Sequence, residues 1–453
     1  MNLHRREVLR LTRRTFLAGS LVSLLLASCQ REATTPPPEP ATTVPAAGTP
    51  AVQVPLTGKL TFWGHPDHPL ERIRDAFSQE YPQVTLDWVL TNDYYTKFQT
   101  AMAAGGEGAP DLFWLEASDV QLYGGSGLLL DVTDVIEPIK DQFIPAKLAE
   151  AYVPKTGRYY GIPGDLSVSG IYYRPDLLEA LGLTIKDDMT YEEFLDVLRN
   201  IAAAGKKAVL YPSGGGGVAA AYWSWFVAQY GGSGVATCDG REITADSEAG
   251  VAAARLLRDI VATGATLNAD FWTPEYWDAL NSELLVLDFA AAWARGFWES
   301  NLDPAQLGKW RVAPLPRAVP GGSRTGVWGG ATLVATAKTQ NPELAKQFMT
   351  FAFASEAGCQ AAADWGIIPS WIPYLEGPFQ QLQFRLFGDQ PAAKLWLDLG
   401  RELSTTYCRP AIYTPALDIL GTDLDPIVQG RVTPEEGMKA IGDKLRSILP
   451  DYQ

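Results

Sequence analysis

From Leu60 onward the chain alternates short apolar strands with amphipathic helices, and no other feature limits its fold as much. Leu60 and Phe62 alternate with Thr61 and Trp63, the period of a half-buried strand. Leu70, Ile73 and Phe77 follow at helical spacing, with Pro69 suited to the first turn. Val84-Thr85-Leu86-Asp87-Trp88-Val89 reads as a second strand, and Tyr95, Phe98 and Met102 as one face of a second helix. Past a glycine-rich turn, Asp111-Leu112-Phe113-Trp114-Leu115 reads as a third strand. Parallel strands need a crossover, and the crossover helix covers the sheet, so this order implies an α/β architecture with a parallel, helix-covered sheet. Two later helix starts carry capping boxes, Thr190 with Glu193 and Thr433 with Glu436. No internal repeat is visible.

The N-terminus reads as an address. Arg5, Arg6, Arg10, Arg13 and Arg14 precede an apolar run from Phe16 to Ala27, which is short for a bilayer span. Thr12-Arg13-Arg14-Thr15-Phe16-Leu17 resembles a twin-arginine export signal. Leu26-Ala27-Ser28-Cys29 resembles a lipobox, in which Cys29 is acylated and becomes the mature N-terminus. Residues 1–28 are therefore expected to be a signal peptide and 29–56 a lipid-anchored tether, rich in Thr, Pro and Ala and too poor in large apolar groups to build a core. The expected location is outside the cell, on the outer face of the cytoplasmic membrane or in the periplasm.

Residues 57–453 exceed what one core usually serves, so two domains are expected. Residues 1–28 hold five Arg and one Glu, a net +4, so their removal takes the formal charge from −15 to −19. So acidic a body argues against nucleic acid and anionic lipid surfaces and is compatible with a neutral ligand. Of four cysteines, Cys238, Cys359 and Cys408 remain beside Cys29, leaving room for at most one internal disulfide, with a lean to Cys359–Cys408.

Chemical motifs are sparse. His65-Pro66-Asp67-His68 lacks the further ligands of a metal site, and no metal or cofactor is expected. Gly214-Gly215-Gly216-Gly217 follows the strand-like Val209-Leu210-Tyr211, but no Lys-Ser/Thr completes a phosphate-binding loop, so a flexible loop is the better reading. Glu192-Glu193 and Glu435-Glu436 are helix-start charges rather than hydrolase acids, and there is no nucleophile elbow.

Several blocks, in order, resemble the family 1 extracellular solute-binding proteins, whose best-known relatives bind maltose and other sugars. They include Gly58-Lys59-Leu60-Thr61-Phe62-Trp63-Gly64, Ala109–Leu115 with Tyr123–Leu129, Tyr160–Asp165 with Ile171–Leu177, Trp310–Pro316, Gly329-Gly330-Ala331 and Asn341–Ala345. Leu285–Ala290 departs from the usual family pattern. The resemblance implies a two-lobed type II periplasmic-binding fold with a hinge and an interlobe cleft. Crossovers are expected near residues 162–168, 288–294 and 325–330. Lobe 1 would comprise 57–164 plus 292–327, and lobe 2 would comprise 165–291 plus 328–453. It also implies a monomeric, non-enzymatic binder that captures a carbohydrate and hands it to the transmembrane subunits of an ABC permease.

A sugar ring shows an apolar C–H face to aromatic rings and a rim of hydroxyls to polar groups. Residues near strand ends and crossovers that fit are Trp63, His65, Glu116, Ser118, Asp119 and Asp165, then Trp223, Trp225, Trp293, Arg295, Trp328 and Trp365. Core packing competes for each of the 14 tryptophans. Trp223 and Trp225 lie two apart, so on a helix only one of them can face a cleft. Two other readings stay open: the same fold holding a non-sugar solute such as a polyamine, iron or phosphate, or a surface polysaccharide hydrolase.

Overall fold

The computed structural model describes residues 56–64 and 70–453. The signal segment, Cys29, the tether as far as residue 55 and His65-Pro66-Asp67-His68 lie outside the described residues. Eleven strands are described: β1 (Gly58–Gly64), β2 (Val84–Leu90), β3 (Leu112–Glu116), β4 (Tyr152–Val153), β5 (Arg158–Tyr159), β6 (Ile162–Pro163), β7 (Ser169–Tyr173), β8 (Lys207–Ala208), β9 (Leu285–Ala291), β10 (Arg311–Ala313) and β11 (Ala331–Ala335). They form a five-stranded sheet in the order β2-β1-β3-β11-β6, a four-stranded sheet in the order β10-β7-β9-β8, and the small β4-β5 pair.

The first sheet starts as its sequence predicts. Leu60 and Phe62 of β1 point into the core. Leu70, Ile73 and Phe77 bury one face of the helix Leu70–Glu80, where Phe77 meets Phe348 and Phe351 edge-on at 5.0 and 5.2 Å. Each such burial contributes roughly 1.5–3 kcal/mol. β1, β2 and β3 are parallel, as the alternation requires. The sheet is not parallel throughout, because β11 runs antiparallel between β3 and β6. That strand arrives from the far side of the molecule rather than through a local crossover helix. Both capping boxes form, at Thr190–Glu193 and Thr433–Glu436.

Two expectations about chain routing are corrected. β9 is buried along all seven residues in the second sheet, and the chain after it turns through the helix Ala294–Asn301 and returns as β10, antiparallel to β7. No crossover occurs near 288–294, and the stretch 292–327 supplies a strand to the second sheet rather than to lobe 1. Conversely, β11 joins the first sheet, and the helices Pro342–Ala354 and Glu356–Trp365 pack into its core rather than into lobe 2. The chain instead passes between the sheets at 164–168, 314–330 and 366–370.

These passages lie side by side. Leu166 N–H donates to Ile368 at 2.7 Å and Ser370 N–H to Gly164 at 3.1 Å; Ser169 N–H donates to Gly326 at 3.0 Å and Trp328 N–H to Ser167 at 3.2 Å. Three passages of the chain crossing together in one ribbon give a hinge whose bending axis is set by backbone bonds.

The glycine run is not a loose loop. Gly214 and Gly215 have φ of +81° and +75°, and the helix Gly216–Gln229 begins immediately after. A Cβ on Gly421 would lie 2.9 Å from the Gly216 backbone, so glycines let this helix start press against the helix Tyr413–Asp423.

The disulfide joins Cys238 to Cys408, whose Cα atoms are 5.1 Å apart; Cys359 is buried and free. The lean to Cys359–Cys408 fails because Cys359 sits inside the helix Glu356–Trp365 with its side chain in the core.

Candidate ligand-binding cleft

A cavity of about 310 Å³ opens beside the hinge between the two sheets. Tyr95, Glu116 and Ser118 line it from the first-sheet side, and Tyr413, Thr414 and Leu417 from the second. Val327, Trp328 and Gly329 of the middle crossover form its floor. Glu116 ends β3, and Ser118 and Asp119 open the helix Ala117–Gly125, so the strand end delivers polar groups to the cleft edge.

A buried charge network backs this cavity. Arg409 is 7% exposed and donates through Nη1 to Glu116 at 2.9 Å and to the Gly329 carbonyl at 2.8 Å. Its Nη2 donates to Gly330 at 3.1 Å and pairs with Glu150 at 2.7 Å. Glu150 also holds Lys147, whose side chain is fully buried, at 2.5 Å. Burial works against the Arg409 charge, but Glu150 and Glu116 outweigh it and push the pKa up. Burial lowers Lys147, with Glu150 opposing, and raises Glu116, with Arg409 opposing. Tyr95 donates its hydroxyl to Asp119, whose carboxyl burial raises. Across the cleft, Ser118 and Thr414 hydroxyls meet at 2.7 Å.

The expected site residues divide. Glu116, Ser118 and Trp328 line the cavity, and Asp119 stands behind it through Tyr95. Trp293 lies next to Trp328, with rings 6.0 Å apart and its indole N–H on the Trp328 carbonyl at 2.8 Å. Trp63 is half-buried on β1 against the core of the first sheet. His65 is outside the described residues.

Trp223 and Trp225 are both fully buried, which overturns the idea that one faces the cleft. Their helix is apolar on every side and packed among helices over most of its surface, and it meets the cavity through Gly217 and Ala221 rather than through either tryptophan. Their N–H groups bond the Gly250 and Val327 carbonyls at 2.9 Å. Asp165 is 6% exposed and does not line the cavity; it accepts the Ser167 N–H at 2.9 Å, beside Lys147 in the hinge ribbon. Burial raises its pKa, with the Ser167 bond opposing. Arg295 and Trp365 line a different interlobe cavity.

Arg409, Tyr413, Thr414, Tyr95, Lys147 and Glu150 were not singled out from sequence. Only the cluster Tyr407-Cys408-Arg409 followed by Tyr413 ahead of a helix could have drawn attention to part of this set.

Comparison with known proteins adds the following. Residues 69–358 match the model of the bacterial extracellular solute-binding protein family. The arabinooligosaccharide-binding protein of Halalkalibacterium halodurans is 25% identical over 414 residues, covering 86% of this chain and 89% of that protein. The lactose-binding protein of Rhizobium radiobacter is 24% identical over 409 residues, covering 86% and 92%. Among solved structures, the galacto-N-biose-/lacto-N-biose I-binding protein of an ABC transporter from Bifidobacterium longum superimposes with a TM-score of 0.72 at 19% identity, covering 87% of this chain and 98% of that one. The sugar-binding protein MalE of Xanthomonas citri gives 0.72 at 17% identity, with the same coverage. At these identities the structural likeness speaks to the two-lobed α/β fold.

Proposed function

From the premise that the chain belongs to the bacterial extracellular solute-binding proteins, we propose that it captures a neutral sugar or oligosaccharide in the Glu116–Trp328 cleft and delivers it to an ABC permease. The observation that carries this is one cavity with both halves of a sugar's chemistry. Trp328 and Tyr413 offer ring surface, and Glu116, Ser118 and Thr414 offer hydroxyl partners. The charges are already matched: Glu116 has Arg409, and Arg409 has Glu150. Phosphate would find no uncompensated cation in this set, whereas a polyol needs none. The names of the sequence relatives, arabinooligosaccharide- and lactose-binding, support the same ligand class.

Glu116 and Asp119 are engaged by Arg409 and Tyr95, which favours binding over acid–base hydrolysis. Ligand bridging both sides of the hinge would favour a closed state, and the permease would read that state. The Cys29 lipid and the 29–56 tether would keep the body near the membrane. Mass spectrometry of the mature N-terminus tests this: an acylated Cys29 is expected, and an unmodified terminus counts against the anchor.

A thermal-shift screen tests the ligand class, using arabino-oligosaccharides, lactose, spermidine, ferric iron and phosphate. Ligand at 100 times its Kd stabilises the folded state by about 2.7 kcal/mol. A sugar that raises the melting temperature supports the reading; a response to spermidine, iron or phosphate with none to sugars overturns it.

A further inference from the structure

Arg409 joins parts of the molecule that a hinge motion would separate. It lies between the helices Ala392–Arg401 and Tyr413–Asp423, in a stretch with no helix or strand of its own. That stretch is anchored to the second core. The Cys408 N–H donates to the Ser233 carbonyl at 3.0 Å, Tyr407 donates its hydroxyl to Tyr413 at 3.3 Å, and Cys408 is bonded to Cys238. The helix that follows buries Tyr413, Ala416 and Leu420 in the same core.

The acceptors of the Arg409 guanidinium all lie elsewhere. Glu116 ends β3, and Glu150 belongs to the helix Pro145–Ala151, which packs on β6 and on the helix Ala117–Gly125. The Gly329 and Gly330 carbonyls belong to the middle crossover. Nη1 and Nη2 thus serve two carboxylates and two carbonyls, and among the described residues only Nε lacks a partner. Further along the same segment, Thr414 meets Ser118 across the cleft at 2.7 Å.

We propose that Arg409 is an interlobe clasp, set in place by the Cys238–Cys408 bridge, and that the affinity of the cleft depends on the bridge being oxidised. The affinity dependence rests on the sugar-binding reading, whereas the clasp rests on the two-sheet fold alone.

Opening the hinge would draw Arg409 away from Glu116 and Glu150 and leave three buried charges without their partners. The clasp therefore weights the closed arrangement. When the binding-competent arrangement is a fraction of the population, apparent affinity falls by that fraction. A planar fork of donors can hold this set of acceptors at once; the single ammonium of a lysine cannot.

The bridge is within reach of a reductant. Cys238 is exposed, and a cavity of about 260 Å³, separate from the one at Trp328, is lined by both cysteines, Glu150 and Arg409. A dithiol would break the S–S bond, leave two thiols on the chain and become a disulfide itself. Cys359 is buried and takes no part. Without the bridge, the stretch carrying Arg409 keeps only its bonds to Ser233 and Tyr413 as anchors on the second core, so the guanidinium is no longer held to one position. An exported chain meets oxidising surroundings, so the bridge would close and the clasp would set outside the cell.

The test compares the full chain with and without dithiothreitol, and wild type with Arg409→Lys, by small-angle X-ray scattering without sugar and by calorimetric titration with lactose and arabino-oligosaccharides. Reduction should raise the radius of gyration of the sugar-free wild type with an unchanged circular-dichroism spectrum. It should weaken sugar binding about tenfold. Arg409→Lys with its bridge intact should show the same expansion and the same loss, and reduction should then change its affinity less than about twofold, because both changes act through one contact. That lack of additivity is what a bridge serving only stability would not produce. Should reduction unfold the chain, the scattering of oxidised Arg409→Lys decides alone: expansion supports the clasp and an unchanged radius overturns it. Equal weakening by reduction in wild type and Arg409→Lys overturns the route through Arg409. Binding of none of these sugars overturns the sugar reading, and the scattering still decides the clasp.

Discussion

On the first-sheet side of the cleft, Glu116, Glu150, Lys147 and Asp119 are tied to Arg409, to each other and to Tyr95. On the second-sheet side, Trp328 lines the cavity, and Trp293, Trp272 and Phe271 pack in a run behind it, each keeping part of its ring surface open. The charged wall is internally matched, so its groups are structural before they are ligand contacts. The aromatic wall holds surface in reserve, and a ligand can gain from it without first breaking a bond. Substitutions in the charged wall should therefore cost stability, and those in the aromatic wall should cost affinity.

Arg409→Ala gives the largest expected effect. It strips a shared partner from Glu116 and Glu150 in a buried site, and breaking a buried pair costs roughly 3–5 kcal/mol. Urea denaturation should show that loss, with weaker sugar binding alongside. Unchanged stability would mean that the charged wall is not internally bound.

The Cys238–Cys408 bond holds the residue next to Arg409 across a sequence separation of 170. Replacing both cysteines with Ser should cost about 2–4 kcal/mol. Thiol counting on the denatured wild type should find one free group among Cys238, Cys359 and Cys408. Three would remove the tether from the account.

Trp328→Ala sharpens the contrast from the other side. Lost ring burial should weaken sugar binding by roughly 1–3 kcal/mol, or about tenfold to a hundredfold. The melting curve should move less than in Arg409→Ala. A large stability loss with little change in affinity would make Trp328 a core residue.

Asp288 lies in the second core, outside both walls, and its effect is read only as a pH dependence. It accepts the N–H groups of Leu210 and Phe289 and the Tyr276 hydroxyl, yet burial raises its pKa to about 7. A carboxyl raised in the folded state contributes stability that is complete below its ordinary pKa and lost as pH rises through the folded value. The melting temperature should therefore decline from pH 4 to pH 7 by more in the wild type than in Asp288→Asn. Parallel curves would show that Asp288 is ionised throughout.

What the sequence revealed was local. The strand at Leu60 and Phe62, the helix at Leu70, Ile73 and Phe77, and the box at Thr190 and Glu193 each depend on residues within one or two turns. Glu116, Ser118 and Trp328, expected because strand ends and crossovers carry sites in such folds, line the cavity. Arg409 was missed because its partner Glu116 is 293 residues away, and no spacing announces that meeting. Trp223 and Trp328 look alike in sequence; only the helices around Gly216–Gln229 determine that the first is buried. Asp165 fell at the expected crossover, but the ribbon of three passages turned its carboxylate to Ser167 instead of the cavity.

A crystal structure grown with the tightest-binding sugar from the thermal-shift screen tests the central claim most directly. The account predicts a sugar ring over Trp328 with a hydroxyl within hydrogen-bond reach of Glu116. A sugar bound only in the separate pocket between Gln121, Glu150 and the Cys238–Cys408 bridge, with Trp328 and Glu116 untouched, would contradict it.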